Sequence, residues 1–380
     1  MAEATDPPLS GLRIVEFAGI GPAPFAAMML ADMGAEILRV DRIGADYDGH
    51  DFLARGRRSI ALDLKQPAAV EVALALIDRS DGLIEGFRPG VMERLGLGPD
   101  VCRARNPRLV YGRMTGWGQD GPLAQAAGHD LNYIALTGAL WTTGPADRDP
   151  SFAANLLGDF GGGGMFLALG MVAGLLRAAR VGTGDVVDAA ITDGTHALMS
   201  FVHARRASGT WRDARAANTL DGGAPWYGVY ACACGGWISI AAIEPRFWQE
   251  LLRRLSLDAA AIGDRSDPAQ WPALRTQLEE TFRAQPRDHW VALLEGTDAC
   301  FAPVLSPAEA AQHPHNRARQ AFAPTGPDQP APAPRFGDAG HRPVTPPAPA
   351  GAHTMSILTE LGLSAAEISA LNEAGAIKAS

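Results

Sequence analysis

The chain has 380 residues, 47% hydrophobic and 20% charged, which suggests two or three domains and a substantial core. Its formal net charge of −9 argues against a general nucleic-acid binder and leaves room for a local basic patch that takes a phosphorylated small molecule. No signal-peptide core opens the sequence, the apolar run 161–176 is short and glycine-rich for a membrane span, and four cysteines make no disulfide framework, so a reduced, cytoplasmic setting is expected.

The first half alternates strand and helix. Residues 12–17 read as a buried strand, 25–33 as a helix closed by Gly34, and 35–40 as a second strand ending at Asp41. This is a βαβ unit and implies parallel pairing. Gly19, Gly21 and Asp41 imitate a dinucleotide fingerprint. Pro22 and Pro24 remove two amide donors there and the third glycine is missing, which argues against nicotinamide or flavin. Strands over 59–64, 82–85 and 109–113, with an amphipathic helix over 67–79, extend the pattern into an open, Rossmann-like α/β sheet. Arg42, Lys65, Arg88 and Arg94 fall at or just after strand ends. Ligands bind at that edge and arginine suits phosphate, so the four mark a place for a polyphosphate; solvated surface charge is the competing reading of each.

A glycine-rich loop at 115–121 precedes Gly128-His129-Asp130, which opens the next helix. Asn155-Leu-Leu-Gly158-Asp159-Phe160 follows, then four glycines and an apolar run from Met165 to Leu176. Read as a helix, that run puts Asp159 just before a helix N-terminus, where free N–H groups hold an anion or a developing oxyanion. The competing reading is an N-cap aspartate beside a flexible turn. Residues 185–191 read as a strand, 195–207 as a helix, and 208–225 as a linker.

A smaller α+β region begins near Trp226. It holds a hairpin (227–232 and 237–241, turned at Gly235-Gly236), a helix over 246–255 with Pro245 in its first turn, helices over 272–282 and 288–295, and a strand over 301–305. Cys232 and Cys234 lack a second pair and His313-Pro-His315 lacks completing ligands, so no metal site is expected. The Pro- and Ala-rich stretch 322–350 should be extended, and two short helices follow, the second capped by Ser364 and Glu367. The domains expected are 1–195 with 330–380 as a large α/β domain, 196–224 as linker, 225–312 as a small α+β domain, and 313–329 as returning linker.

Three titratable side chains stand out by context: His129, Asp159 and Glu244. No G-x-S-x-G and no P-loop is present. A histidine and an aspartate facing one small substrate suit proton transfer at carbon, with backbone amides stabilising an enolate. For His129 alone, a buried core histidine is the competing reading.

Several stretches carry a family pattern: RIVEFAGIGPAPFAAMMLADMGAEILRVDR, SIALDLK, IEGFRPGVMERLGLGP, RMTGWGQDGP, GHDLNYIALTG, NLLGDFGGGGMFLALG, AAIEPRFW and HTMSILTELGL. From about Leu9 to Ile377 the chain resembles the family III CoA-transferase (CaiB/BaiF-type) superfamily. The histidine of Gly128-His129-Asp130 and the glutamate of Ile243-Glu244-Pro245 point to its racemase branch. That branch implies interconversion of (R)- and (S)-2-methylacyl-CoA through an enolate, with His129 and Asp159 as the two bases, Glu244 supporting the imidazole and Asn155 the carboxylate. The transferase members would instead use Asp159 as a nucleophile and move CoA between an acyl-CoA and a carboxylate. The resemblance also implies that Arg42, Lys65, Arg88 and Arg94 hold the CoA phosphates and adenosine. Leu62, Asp63, Leu64, Gly86, Phe87, Gly128, Asp130, Leu131, Asn132 and Tyr133 would line the CoA site. It further implies an interlocked homodimer, with an active site between the large domain of one chain and the small domain of the other, no metal, and no cofactor beyond the CoA of the substrate. Phe87 departs from the tyrosine of some racemases, and Cys232 and Cys234 from the more usual polar turn residues.

Overall fold

In the computed structural model, residues 6–258, 262–324, 328–336 and 344–378 are described. Their contacts divide the chain into two compact units, 1–137 with 153–198 and 320–380, and 138–152 with 199–319. The seams differ from those expected: 138–152, 199–224 and 313–319 go with the small unit. Asp221 shows why 208–224 is not a bare linker. Its carboxylate accepts the N–H groups of Ala217, Asn218 and Gly223 and folds the segment into a tight turn.

The large unit is built on six parallel strands in the order β3-β2-β1-β4-β5-β6. They are β1 (Arg13–Phe17), β2 (Glu36–Asp41), β3 (Arg57–Ala61), β4 (Gly82–Glu85), β5 (Val110–Thr115) and β6 (Val186–Ala190). Successive side chains face opposite sides of the sheet, so Ile14, Ile37, Ile84 and Val110 join one core and Val15, Leu38, Leu83 and Tyr111 the other. Both faces are covered, which is why these strands read as apolar runs rather than alternations. Helices α1 (Pro22–Asp32) and α4 (Met165–Val181) cover the first face. Helix α2 (Pro67–Asp78) and the C-terminal α9 (Thr354–Glu360) and α10 (Ala365–Glu373) cover the second. Strand order reverses between β1 and β4, and ligands bind beyond the carboxyl ends of strands at such a crevice.

Two departures from the sequence pattern matter for the site. Helix α1 starts at Pro22, three residues earlier than the apolar spacing suggested, because prolines fit a first turn whose N–H groups have no intrahelical acceptor. Strand β3 starts at Arg57, whose guanidinium meets Glu16 of β1 at 2.9 Å with both side chains almost fully buried. Arg57 also donates to the carbonyls of Leu53, Arg55 and Pro24. Leaving either charge of such a pair without its partner costs about 3–5 kcal/mol.

The small unit has an antiparallel sheet, β7 (Tyr227–Ala231), β8 (Trp237–Ala241) and β9 (Phe301–Val304), in that order. Its core holds Trp226, Tyr230, Trp248, Phe282 and Trp290, from the sheet and from α6 (Pro245–Arg254), α7 (Trp271–Arg283) and α8 (Arg287–Leu294).

Candidate active site

Asp159 is not in front of a helix. A π-helical segment, Leu156–Gly164, runs without a break into α4, and Asp159 sits in its first turn. The hydrogen bond from Phe160 N–H to the Asn155 carbonyl (3.3 Å) spans the five residues of π geometry. The glycines are not a flexible turn. Gly161 to Gly164 keep negative φ, and Gly162 and Gly164 are crowded by the backbone of other elements. A Cβ on Gly162 would lie 2.9 Å from the Ile191 carbonyl oxygen, and one on Gly164 would lie 2.8 Å from that of Pro22. What approaches Gly162 and Gly164 is therefore α5 (Ile191–Leu198) and α1.

Three features fix the carboxylate. Asn155 donates to Asp159 Oδ2 at 3.1 Å, as one turn of spacing allows. Asp159 N–H donates to Asp130 Oδ1 at 2.6 Å. Gly21, at φ +70°, faces the carboxylate from the β1–α1 turn, where a Cβ would lie 3.3 Å from Oδ2. Burial pushes the Asp159 carboxyl above its ordinary range and the negative Asp130 adds to the rise, against the Asn155 hydrogen bond and the positive field of His129.

His129 is the N-cap of α3 (Asp130–Leu136) and is exposed in the single protomer, which rules out the buried-core reading. Its own N–H donates to Asn132 Oδ1 at 3.1 Å. Tyr133 is buried, donates its hydroxyl to the Gly128 carbonyl, and stands edge-on to Trp117 at 4.7 Å. Asp130, Asn132 and Tyr133 thus turn their side chains to supporting the segment that carries His129 and Asp159. Leu131 between them is exposed.

A cavity of about 1310 Å³ opens at the carboxyl edge of β1, β2, β3 and β4. Arg42, residues 62–65, Gly86 and Phe87 line it together. Arg88 and Arg94 are not in its wall. Arg42, Lys65, Arg88 and Arg94 are all exposed, and none forms an ion pair among the described residues. Arg39, Arg57, Arg58 and Arg113, by contrast, all do. Arg42 and Lys65, unpaired in the cavity wall, are available to an anion there. Sequence reasoning missed Tyr47, Pro347, Ala348 and Gly375 in the same wall. Tyr47 donates to the Pro347 carbonyl at 3.1 Å, so the C-terminal segment closes one side of the cavity.

Glu244 belongs to the small unit, as the exposed N-cap of α6. Arg265 donates to the carbonyls of Ala242 (2.8 Å) and Ile243 (2.7 Å) and lies over the rings of Trp226 and Trp248, so it holds the strand exit that presents Glu244. Nothing near this arginine in sequence signals that role. No group of metal-ligating side chains occurs among the described residues.

Fold and site together define a doubly wound α/β protein with a large cavity at the carboxyl edge of its sheet and, in the same unit, the carboxylate of Asp159 and the exposed His129. The chain belongs to CoA-transferase family III, whose profile matches residues 9–354. It is 42% identical to alpha-methylacyl-CoA racemase of Mus musculus over 95% of both chains. It is likewise 42% identical to the Homo sapiens protein of that name, over 98% of this chain and 99% of the other. A crystal structure of a CaiB/BaiF family protein from Brucella suis superimposes with a TM-score of 0.81 at 26% identity, covering 94% of this chain and all of that one.

Proposed function

We propose that the chain is an isomerase, a racemase that interconverts (R)- and (S)-2-methylacyl-CoA by 1,1-proton transfer, with His129 and Asp159 as its acid–base pair. The observation that carries this reading is that His129 immediately precedes Asp130, whose carboxylate accepts the Asp159 N–H at 2.6 Å, so the two segments that bear His129 and Asp159 are tied together. A racemase needs a second base there, whereas a carboxylate nucleophile acting alone does not.

One group takes the α-proton as the C–H bond breaks, and the electron pair moves onto the thioester oxygen. The other group returns a proton to the opposite face of the same carbon. The pair must hold one catalytic proton between them, and a carboxyl lifted by burial moves toward the range in which imidazoles titrate. The Asp130 and Leu131 N–H groups at the start of α3, directly after His129, have no acceptor among the described residues and suit the enolate oxygen, whereas that of Asn132 is taken by the His129 carbonyl. Asn155 holds the carboxylate and Glu244 supports the imidazole. The cations Arg42, Lys65, Arg88 and Arg94 take the phosphates of CoA, and the reaction requires no metal or added cofactor.

A homodimer in a cytoplasmic setting belongs to the same reading. Leu156–Val181 is long and apolar enough by composition to cross a membrane. Its inner face, with Leu167, Met171 and Leu175, is nonetheless buried in the large unit. The outer face, with Met165, Leu169, Leu176 and Val181, is exposed in one protomer and suits cover by a second copy.

The experiment is incubation of one enantiomer of a 2-methylacyl-CoA in deuterium oxide without an acceptor acid. Racemisation with one deuterium at C2 is expected. Transfer of CoA to an added carboxylate, without exchange at C2, would make the chain a transferase with Asp159 as nucleophile.

A further inference from the structure

We infer that Asp130 is a positioning residue for Asp159: its buried carboxylate ties down the backbone of the catalytic group and places a negative charge beside it. The inference deepens the proton-transfer reading and depends on it.

Asp130 is only 6% exposed. Its Oδ1 accepts the Asp159 N–H at 2.6 Å, and its Oδ2 is buried with no hydrogen-bond partner among the described residues. The Asp159 N–H is one of the first-turn donors that the π-helical segment cannot satisfy itself. One such donor needs only a neutral acceptor. Burying a carboxylate to do the work costs several kcal/mol unless it is paired and hydrogen-bonded, and Oδ2 has no partner among the described residues. Room has been made for it: a Cβ on Gly158 would fall 2.5 Å from Oδ1, so only glycine admits the carboxylate at this height.

The charge has few competitors. Around the π-helical segment, Asp32 of α1 pairs with Arg55, Arg113 of β5 with Glu85 and Glu93, and Arg177 of α4 with Asp185. Asp188 of β6 and Asp193 of α5 act on each other, while Arg180 and His196 are exposed. The charged groups that act on the Asp159 carboxyl are Asp130, which raises it, and His129, which lowers it. A racemase must start from either enantiomer, so the proton must be able to rest on carboxylate or imidazole without a large gap. Without the Asp130 charge one contribution to the raised Asp159 carboxyl is lost, so Asp159 ionises more readily.

The test is a pair of variants. Asp130→Asn keeps an oxygen for the Asp159 N–H and removes the charge; Asp130→Ala removes both. Deuterium incorporation at C2 is followed against pH, together with KM for the thioester. For Asp130→Asn the acid limb of kcat/KM is expected to move down by about one pH unit, with KM changed less than twofold. For Asp130→Ala kcat is expected to fall at least about tenfold below the Asn variant, because the carboxylate is also released. An acid limb unmoved in Asp130→Asn overturns the inference, as does an equal kcat in the two variants. The Asp159 carboxyl carbon, titrated by NMR in wild type and Asp130→Asn, reads the electrostatic part without turnover. A titration that shifts in a wild-type protein showing no exchange at C2 would keep the role of Asp130 and discard the racemase.

Discussion

The contact between the π-helical segment and α5 is the tightest in the large unit that bears on Asp159, and Gly162→Ala tests it. A Cβ at this position would lie 2.3 Å from Thr195 Oγ1, and 2.9 Å from both the Ile191 carbonyl oxygen and the Thr195 amide nitrogen. The hydroxyl can rotate away, but the other two atoms are backbone of α5. Ordinary contact begins at 3.4 Å, so the elements must part by at least about 0.5 Å (3.4 − 2.9). Overpacking of this kind costs roughly 1–3 kcal/mol, or a fall of roughly 2–10 °C in thermal midpoint for a unit of this size. Asp159 is three residues away on the same segment and moves with it, so kcat for C2 exchange should fall about tenfold or more. Gly161→Ala is the control: its nearest neighbours would be the Leu156 carbonyl oxygen at 3.2 Å and a Leu198 methyl at 3.4 Å, a milder crowding offset by helix propensity. Thermal unfolding by circular dichroism and deuterium incorporation on both variants decide the matter. Equal melting of Gly162→Ala and wild type would refute the claim that these glycines exist for close packing.

His129→Ala and Asp159→Ala should each lower racemisation by about 10²–10⁴-fold; a His129→Ala protein that still exchanges CoA with carboxylates as fast as wild type would identify a transferase. Because the Asp159 carboxyl is held above its unfolded value, ionising it costs folding free energy, and stability falls as pH rises from the unfolded value through the raised one. Asp159→Asn should therefore melt higher than wild type near neutral pH, with the difference closing below about pH 4, as scanning calorimetry at two pH values would show. The His353 imidazole is held below its ordinary value by burial and by Arg58, and its Nδ1 accepts the Ser59 N–H at 3.1 Å. Its neutral form adds stability at pH above the unfolded value, which is lost as pH falls through that value toward the lowered one; hydrogen exchange at the Ser59 amide should accelerate over that range. Lys65→Ala and Arg88→Ala should raise KM for a CoA thioester about tenfold each, with a weaker dependence of KM on ionic strength, and a KM unmoved in both would remove these cations from the CoA site.

The doubly wound sheet was legible because strands buried on both faces are apolar throughout and end at charged or glycine-bearing turns. Arg57 hid inside such a strand, since nothing local shows that Glu16 lies opposite it. The glycine run misled for a physical reason: glycine both breaks helices and lets backbones touch, and only the partner distinguishes the two. That partner, Gly194, sits in the middle of α5, where a Cβ would lie 1.8 Å from the Gly162 carbonyl oxygen. His129 and Asp159 were visible as residues out of keeping with their surroundings. Their supports were less so, because Asp130 acts through the main chain of a residue 29 positions away and Arg265 through the carbonyls of Ala242 and Ile243.

The π-helical segment makes the direction of the Asp159 side chain a matter of residue count. An α-helix advances about 100° per residue, and a π turn accommodates one residue more than an α turn before its hydrogen bond closes. Loss of one glycine between Asp159 and Met165 would let the segment tighten, keep α4 seated on the sheet, and swing the carboxylate away from Gly21. Substitutions within 161–164 are thus graded changes in packing, whereas a single-codon deletion there acts as a frame change in space and leaves a folded protein aimed the wrong way.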